Sequence, residues 1–317
     1  QPLGEGVLPG MTMGPYGVHW DRNQTWWPMA SDYHRYVSRC SHLLRQGVSV
    51  ADILYLTPEG APHVFLPPES AMEGSGPLRD KKGYSFDGIS PNILMARAAV
   101  EDGKIVFPGR TSYRMLVLPA FETMTPKLLT KIKELLNAGA VVVGTPPVKS
   151  PGLSDYPLCD QQVQTLATEI WASLKAPTDI TARRVGKGHL FWGGEISRPS
   201  ARLYPAYDLT AALLKEQGLP EDFTAAGPVR FIHRRTDQLD IYFVSNRSGQ
   251  KIDVTGTFRV QGGRPELWHP VEGQRRSLKD FTVHQGTVSV PLQFEAYESY
   301  FMVFFRNEKA DTVDAPG

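Results

Sequence analysis

In the first two thirds of the chain, hydrophobic positions alternate between helical spacing and short unbroken runs. Unbroken apolar runs at 50–56, 113–118 and 141–143 predict buried strands. Because a helix predicted at 125–138 lies between the last two runs, those strands are expected to be parallel and buried on both faces. Apolar residues three or four positions apart predict helices at 31–46, 91–98, 125–138, 160–174 and 207–217.

The pattern changes after Pro220. Short apolar runs separated by turn residues now recur about every ten positions, which is typical of a β-sandwich. The fold class predicted is therefore α/β plus all-β, a parallel-sheet domain followed by a β-sandwich. The predicted division is an irregular segment at 1–30, an α/β domain at 31–222, a β-sandwich at 226–306 and a polar tail at 307–317.

The α/β part resembles the flavodoxin and glutamine-amidotransferase arrangement. An amidotransferase needs a nucleophilic cysteine at a tight strand-to-helix turn, and the candidate turn at 143–147 has none. Cys40 lies in an apolar helical stripe, which indicates a core thiol. We expect Cys40 and Cys159 to be two buried free thiols, with a disulfide between them as the alternative.

Composition and charge exclude several functional classes. The 317 residues carry 34 basic and 33 acidic side chains, so no strong positive field is present to hold nucleic acid. No apolar stretch approaches the roughly 18 residues that a membrane span needs. The chain has neither a starting Met nor a signal peptide, so we expect a processed product or a piece of a longer chain. Local motifs for nucleotide phosphates, a hydrolase serine elbow or a zinc site are also missing.

The densest group of chemically active side chains lies near the amino terminus. Sugars present hydroxyl groups to carboxylates, amides and guanidinium groups, and stack their C–H faces on indole rings. These residue types therefore predict a saccharide-binding site, while packing tryptophans beside a local ion pair are the alternative. The candidates are His19, Asp21, Arg22, Asn23, Trp26 and Trp27.

A second candidate lies in the loop-like stretch 57–82, directly after the predicted strand 50–56. Polar residues past the carboxyl end of a parallel strand are where α/β proteins place ligands. Glu59 is the carboxylate closest to that strand end, which favours a catalytic role. A solvated acidic loop is the alternative.

Several segments, in order, resemble glycoside hydrolase family 106, the α-L-rhamnosidases. The run from Gly14 to Trp27 (GPYGVHWDRNQTWW) is similar to a motif of that family, and so is the stretch Gly83–Ser90 (GYSFDGIS). Two later segments, Pro265–Pro270 and Glu298–Phe304, are similar to its C-terminal sandwich. The resemblance extends from about residue 11 to 306.

The resemblance implies a secreted or periplasmic enzyme that removes rhamnose from polysaccharides with inversion. Such an enzyme needs an acid and a base carboxylate about 6.5–9.5 Å apart. In the family, the acid comes from a (β/α)₈ barrel that precedes the first motif found here, and the base corresponds to Glu59. Asp21 is the second carboxylate candidate of this chain. Calcium is expected from the resemblance, with no ligands assigned.

Two functions follow from the sequence. The first is a glycoside hydrolase, or a fragment of one, that uses an Asp/Glu pair on a saccharide, with residues 1–30 as a remnant of the barrel. The alternative is a non-catalytic carbohydrate-binding or oligomerisation module, in which residues 1–30 are a docking arm. The first predicts carboxylates converging on an aromatic-lined pocket, and the second predicts a large apolar interface. The partner would be the barrel or a second copy of the chain.

Overall fold

A computed structural model describes residue 20 and residues 24–60, 64–74, 79–198 and 203–306. These residues form a mixed α/β structure with many strands and few helices. The helices are α1 (Ala30–Leu44), α2 (Pro91–Arg97), α3 (Pro126–Ala138), α4 (Leu158–Trp171) and α5 (Tyr207–Glu216).

The strands are numbered along the chain. The first twelve are β1 (Val48–Ser49), β2 (Ile53–Leu56), β3 (Met72–Glu73), β4 (Asp80–Lys81), β5 (Phe86–Ile89), β6 (Ala99–Glu101), β7 (Lys104–Val106), β8 (Ser112–Tyr113), β9 (Met115–Val117), β10 (Val141–Val143), β11 (Thr181–Val185) and β12 (Gly188–Trp192). The others are β13 (Phe223–Ala225), β14 (Val229–Arg235), β15 (Leu239–Asn246), β16 (Ile252–Phe258), β17 (Pro265–Trp268), β18 (Arg275–Ser277), β19 (Thr282–His284), β20 (Thr287–Phe294) and β21 (Ser299–Phe305).

A six-stranded sheet organises the first two thirds of the chain. Its order is β11-β12-β10-β9-β2-β5, and every neighbouring pair except β11 and β12 is parallel. The predicted βαβ unit is confirmed, because β9 and β10 are parallel neighbours joined by α3. Their nearly all-apolar sequences follow from burial on both faces of the sheet.

Helices cover the two faces of this sheet. In β2, Leu54 and Leu56 face the core that contains α3 and α4, whereas Ile53 and Tyr55 face the core that contains α5. Successive side chains of a strand point to opposite faces, so this one strand contributes to both cores. Helix α3 begins as predicted, with the Thr125 hydroxyl accepting a hydrogen bond from the Leu128 N–H (3.3 Å) and proline at the first position.

Two antiparallel sheets form most of the last third. One has the order β1-β14-β15-β21-β17-β18 and the other β13-β16-β20-β19. Side chains of both sheets share one aromatic-rich core, in which Tyr242 and Phe304 of the first meet Phe258 of the second. Alternation along the strands places these rings on the inner faces.

Helix α1 packs on the outer face of the larger antiparallel sheet. Its Cys40 is buried against Ile241, Phe301 and Val303. Strand β1 also pairs with β14 of that sheet, with Val48 opposite Arg235. Helix α1 and strand β1, which lie almost wholly in the predicted α/β part at 31–222, therefore contact the C-terminal sheets. Both cysteines are buried and free, as predicted.

A buried charge network joins the parallel sheet to the antiparallel sheets. The Arg259 guanidinium donates to both carboxylate oxygens of Asp52, just before β2, at 3.0 and 2.8 Å, and to Asp222 at 3.2 Å. His233 lies between Asp222 and Asp240, with 2.9 Å from each ring nitrogen to the nearer carboxylate oxygen. Burial disfavours the charged ring, but the two aspartates together raise the pKa of His233.

The sequence prediction missed several elements. Strand β5 was not predicted, because its sequence Phe-Asp-Gly-Ile has too few apolar residues for a buried strand. It is nevertheless the edge strand beside β2. The exposed strand β18 has the sequence Arg-Arg-Ser and carries no strand signal. Helix α1 begins after Met29, without a side-chain cap, rather than at Ser31 or Asp32.

Candidate functional site

Glu59 lies three residues beyond the carboxyl end of β2 and contacts the amino terminus of α3. One carboxylate oxygen accepts the Thr125 N–H at 2.6 Å, and the other accepts the Thr125 hydroxyl at 2.7 Å. A carboxylate is stabilised at a helix amino terminus, where unpaired N–H groups and the helix dipole are both favourable. The half-buried side chain is thus fixed in one orientation.

Aromatic rings pack beside the same strand end. Tyr55 lies 4.9 Å from Tyr204 and 5.8 Å from Phe65 between ring centroids. The Tyr204 hydroxyl donates to the Leu56 carbonyl at 2.9 Å, which holds the segment leading into α5 on β2. Gly88 of β5 permits this packing, since a Cβ atom there would lie 2.4 Å from the Phe65 ring. These contacts fix the carboxyl end of β2, from which the chain continues to Glu59.

A separate aromatic cluster lies at the amino end of α1. Trp20 stacks on Tyr33 at 5.1 Å, meets Trp26 edge-on at 4.9 Å and lies 4.6 Å from His34. Trp20 and Tyr33 are 46% and 54% exposed, so their rings are open to a ligand. Exposed indole and phenol rings of this kind suit the apolar face of a sugar. We call Trp20, Trp26, Tyr33 and His34 the aromatic cluster.

Of the predicted site residues, the structure describes Glu59, Trp26 and Trp27. Trp26 belongs to the aromatic cluster, and Trp27 begins a short 3₁₀ helix at Trp27–Met29 with its ring partly exposed. Within the described ranges, no hydrogen bond or ring contact joins either tryptophan to Glu59. Outside the described residues lie His19, Asp21, Arg22 and Asn23.

Sequence reasoning missed two groups of polar residues. Tyr33 and His34 were assigned only to a helix, although they follow Trp27 by six and seven residues, which is about two helical turns. Asp52, His233 and Asp240 each interrupt an apolar strand sequence, and all are buried. A charged residue inside an otherwise apolar run was the available signal, because such residues are rarely buried without a partner.

The described residues offer no assignable cation site. Among them, no group of three or more His, Cys, Asp or Glu side chains is arranged to hold a metal ion. The calcium implied by the family resemblance is therefore not assigned to any of these side chains. None of the described helices has the length and apolarity to cross a membrane.

Comparison with known families supports the resemblance seen in the sequence. The sequence profile of glycoside hydrolase family 106, described as alpha-L-rhamnosidase, matches residues 1–282. The match covers both the parallel-sheet region and most of the antiparallel sheets.

Two known proteins match nearly the whole chain. A protein of Formosa agariphila named "Putative beta-glucuronidase" is 32% identical over 98% of this chain and 24% of its own length. The structure of a rhamnosidase from Novosphingobium sp. PP1Y superposes with a TM-score of 0.75 and 26% identity, covering 96% of this chain and 27% of that one. The chain thus spans about a quarter of the length of these relatives.

Proposed function

This chain belongs to glycoside hydrolase family 106, the α-L-rhamnosidases, and from that premise we propose that it forms part of an enzyme that hydrolyses glycosidic bonds. Such enzymes use a pair of carboxyl groups on either side of the scissile bond. We propose Glu59 and Asp21 as this pair. Membership of a family does not by itself identify the catalytic residues, so the proposal depends on the geometry of Glu59.

The orientation of the Glu59 carboxylate is the observation that carries this proposal. Both of its oxygens accept hydrogen bonds from Thr125, and in the described part of the chain no cation forms an ion pair with it. Each oxygen keeps a free lone pair for a water or a substrate hydroxyl. A carboxylate held by neutral donors can accept a proton at a fixed position, as a general base must.

We propose a saccharide as the substrate, bound by His19, Arg22, Asn23, Trp26 and Trp27. The relatives are named for rhamnose and for glucuronic acid, so terminal units of either sugar are the candidates. The exposed rings of the aromatic cluster support stacking on a sugar face next to Trp26. We also propose a secreted or periplasmic location, since polysaccharide substrates lie outside the cell.

For the architecture, we propose a flavodoxin- or amidotransferase-like domain at 31–222 and a β-sandwich at 226–306, with residues 1–30 and 307–317 outside them. The sheet order with its parallel pairs supports the first, and the shared core of the two antiparallel sheets supports the second. Helix α1 and β1 would connect the two domains, since both contact the C-terminal sheets.

The test is turnover of nitrophenyl α-L-rhamnoside and nitrophenyl β-D-glucuronide by the chain and its Glu59→Gln variant. We expect kcat to fall about 100-fold or more on the accepted substrate, the range for loss of a general acid or base. Glu122→Gln is the matched control, because Glu122 is exposed near the same helix terminus and its ion pair among the described residues is with Lys149 (3.6 Å). Equal rates for Glu59→Gln and wild type would exclude Glu59 from the reaction.

A non-catalytic saccharide-binding module is the second candidate, favoured by the absence, within the described ranges, of a contact between the aromatic cluster and Glu59. This function predicts that rhamnose or glucuronate binds to the chain without turnover. Binding should then be lost in Trp26→Ala and retained in Glu59→Gln.

A further inference from the structure

A solvent-filled cleft lies at the opposite end of β2 from Glu59. It opens where the segment before β2 and the β7–β8 hairpin meet the antiparallel sheets, and its volume is about 500 Å³. This volume lies within the range of about 300–1,000 Å³ that is typical of small-molecule sites. Its walls include Asp52, Lys104, Arg114, Arg235 and Arg259.

Cations outnumber carboxylates in this cleft. Among the described residues that line it, six are lysine or arginine and three are aspartate. Two of the aspartates are buried and already paired: Asp52 with Arg259, and Asp240 with Arg235 (2.5 Å). The third, Asp237, pairs with Arg110 where both side chains are more than three quarters exposed, and such pairs contribute little.

Lys104 and Arg114 supply the excess positive charge. Within the described ranges, neither side chain forms an ion pair with a carboxylate. Burial lowers the pKa of Lys104, and the nearby charges of Arg114 and Arg235 lower it further, with Asp102 and Asp52 opposing. Partial loss of hydration in the cleft also lowers the pKa of Arg114, whose side chain still reaches solvent, with Asp52 opposing and Arg259 and Arg235 adding to the shift. Positive groups that repel one another across a cleft favour a bound anion.

The position of Arg114 suits ligand binding. Its backbone N–H donates to the Asp52 carbonyl at 2.8 Å, which fixes its Cα at the amino end of β9, while its side chain is exposed. A guanidinium group can bind a carboxylate or sulfate through two parallel hydrogen bonds. Ser49 and Ser112 line the same cleft and add neutral hydroxyl groups for sugar recognition.

We propose that this cleft binds a saccharide through an oxyanion that the sugar carries, a carboxylate or a sulfate ester, with Arg114 and Lys104 as the principal donors. The oxyanion site is independent of Glu59, since the two lie at opposite ends of β2, whereas the choice of a saccharide rests on the proposed glycosidase function. The chain would then recognise acidic polysaccharide at a second place, away from the proposed catalytic carboxylate.

Titration calorimetry of the full chain with sodium glucuronate, glucose and sodium sulfate at constant ionic strength tests this inference. Glucuronate and glucose differ only in the carboxylate, so we expect glucuronate to bind and glucose to bind at least tenfold more weakly. Arg114→Gln and Lys104→Gln should each weaken glucuronate binding about tenfold, the effect of losing one charge-assisted contact. Lys127→Gln is the matched control, because Lys127 is exposed on α3 outside the cleft.

Each outcome decides for or against the proposal. Equal binding of glucose and glucuronate, or unchanged binding in Arg114→Gln with an unaltered unfolding midpoint, would overturn the oxyanion site. Tighter binding of sulfate than of glucuronate would overturn the assignment of a saccharide ligand and would indicate a site for a free oxyanion. Glu59→Gln should keep full glucuronate affinity even where it abolishes turnover, so failure of the cleft and failure of the proposed catalytic role are distinguishable.

Discussion

The two ends of strand β2 hold carboxylates in opposite ways. At the amino end, Asp52 is buried and its charge is matched by Arg259, which also reaches Asp222. At the carboxyl end, Glu59 is only half buried and is held by the neutral donors of Thr125. A buried, fully paired carboxylate has little capacity left for a substrate, whereas an oriented carboxylate without a cation keeps that capacity.

This difference separates a charge that joins two parts of the fold from a charge that is available for chemistry. Removing a charge of the first kind should strongly destabilise the fold, and removing the second should leave its stability almost unchanged. Stability measurements on variants at the two ends therefore test whether the two kinds of charge differ in this way.

Asp222→Asn should produce the largest effect. Asp222 is fully buried and accepts from Arg259, His233 and the Tyr242 hydroxyl (3.0 Å). Arg259 then keeps only Asp52, and His233 only Asp240, as carboxylate partners among the described residues, so buried positive charge is left unbalanced at a cost of about 3–5 kcal/mol. Because whole domains have only about 5–15 kcal/mol of stability, urea unfolding should show a large drop in midpoint.

The matched control is Asp253→Asn, at an exposed aspartate that accepts a single hydrogen bond from Gln293 (2.8 Å). A surface change of this kind should alter the free energy of unfolding by less than about 0.5 kcal/mol. If Asp222→Asn were no worse than this control, the junction charges would not hold the two parts together.

The sequence predicts the regular parts of both regions because they obey simple periodicities. Helix α3, with its Thr125 cap and the closing Gly139 at φ +123°, has all of its signals within 15 residues. The short antiparallel strands are likewise predictable, because turn residues mark where each strand ends. The local sequence does not show which distant elements pack together. Sequence adjacency groups α1 with the parallel-sheet region, and its contacts with Ile241 and Phe301 of the antiparallel sheet were not foreseen.

The candidate site was predictable only in part, for the same reason. Glu59 could be selected because it follows a strand end, but its partner Thr125 lies 66 positions away. The junction network also requires contacts between residues 207 positions apart, Asp52 and Arg259. A single sequence shows that these charged residues interrupt apolar runs, but it does not show which of them pair.

The second prediction concerns pH. Because the pKa of His233 is raised in the folded chain, its protonated ring contributes to stability. This contribution is fully present below the unfolded-state pKa of about 6.5 and is lost as the pH rises through the folded-state pKa. Despite burial, His233 lowers the pKa of Asp222 and Asp240, so their contribution is present above about 3.9 and is lost as pH falls through the folded values. Urea unfolding should therefore show greatest stability from these groups between about pH 4 and 6.5.

In His233→Gln, the loss of stability above pH 6.5 should be reduced, because the titrating group is gone. Each unit of pKa separation contributes about 1.4 kcal/mol to that loss. His189→Gln, at an exposed histidine of β12, should keep the wild-type pH profile. An unchanged alkaline slope in His233→Gln would show that His233 is not charged in the folded chain.

The smallest effect is expected at the carboxyl end of β2. Thr125→Ala removes the cap of α3 and the hydroxyl that donates to Glu59, at a cost of about 1 kcal/mol, whereas Thr125→Ser keeps both hydrogen bonds. Since the Thr125 N–H still holds one oxygen of Glu59, the carboxylate should lose orientation rather than leave its place. If Glu59 is the catalytic base, Thr125→Ala should therefore lower kcat more than KM, by about tenfold, and Thr125→Ser should restore it. An equal kcat in all three proteins would mean that the orientation of Glu59 serves only to cap the helix.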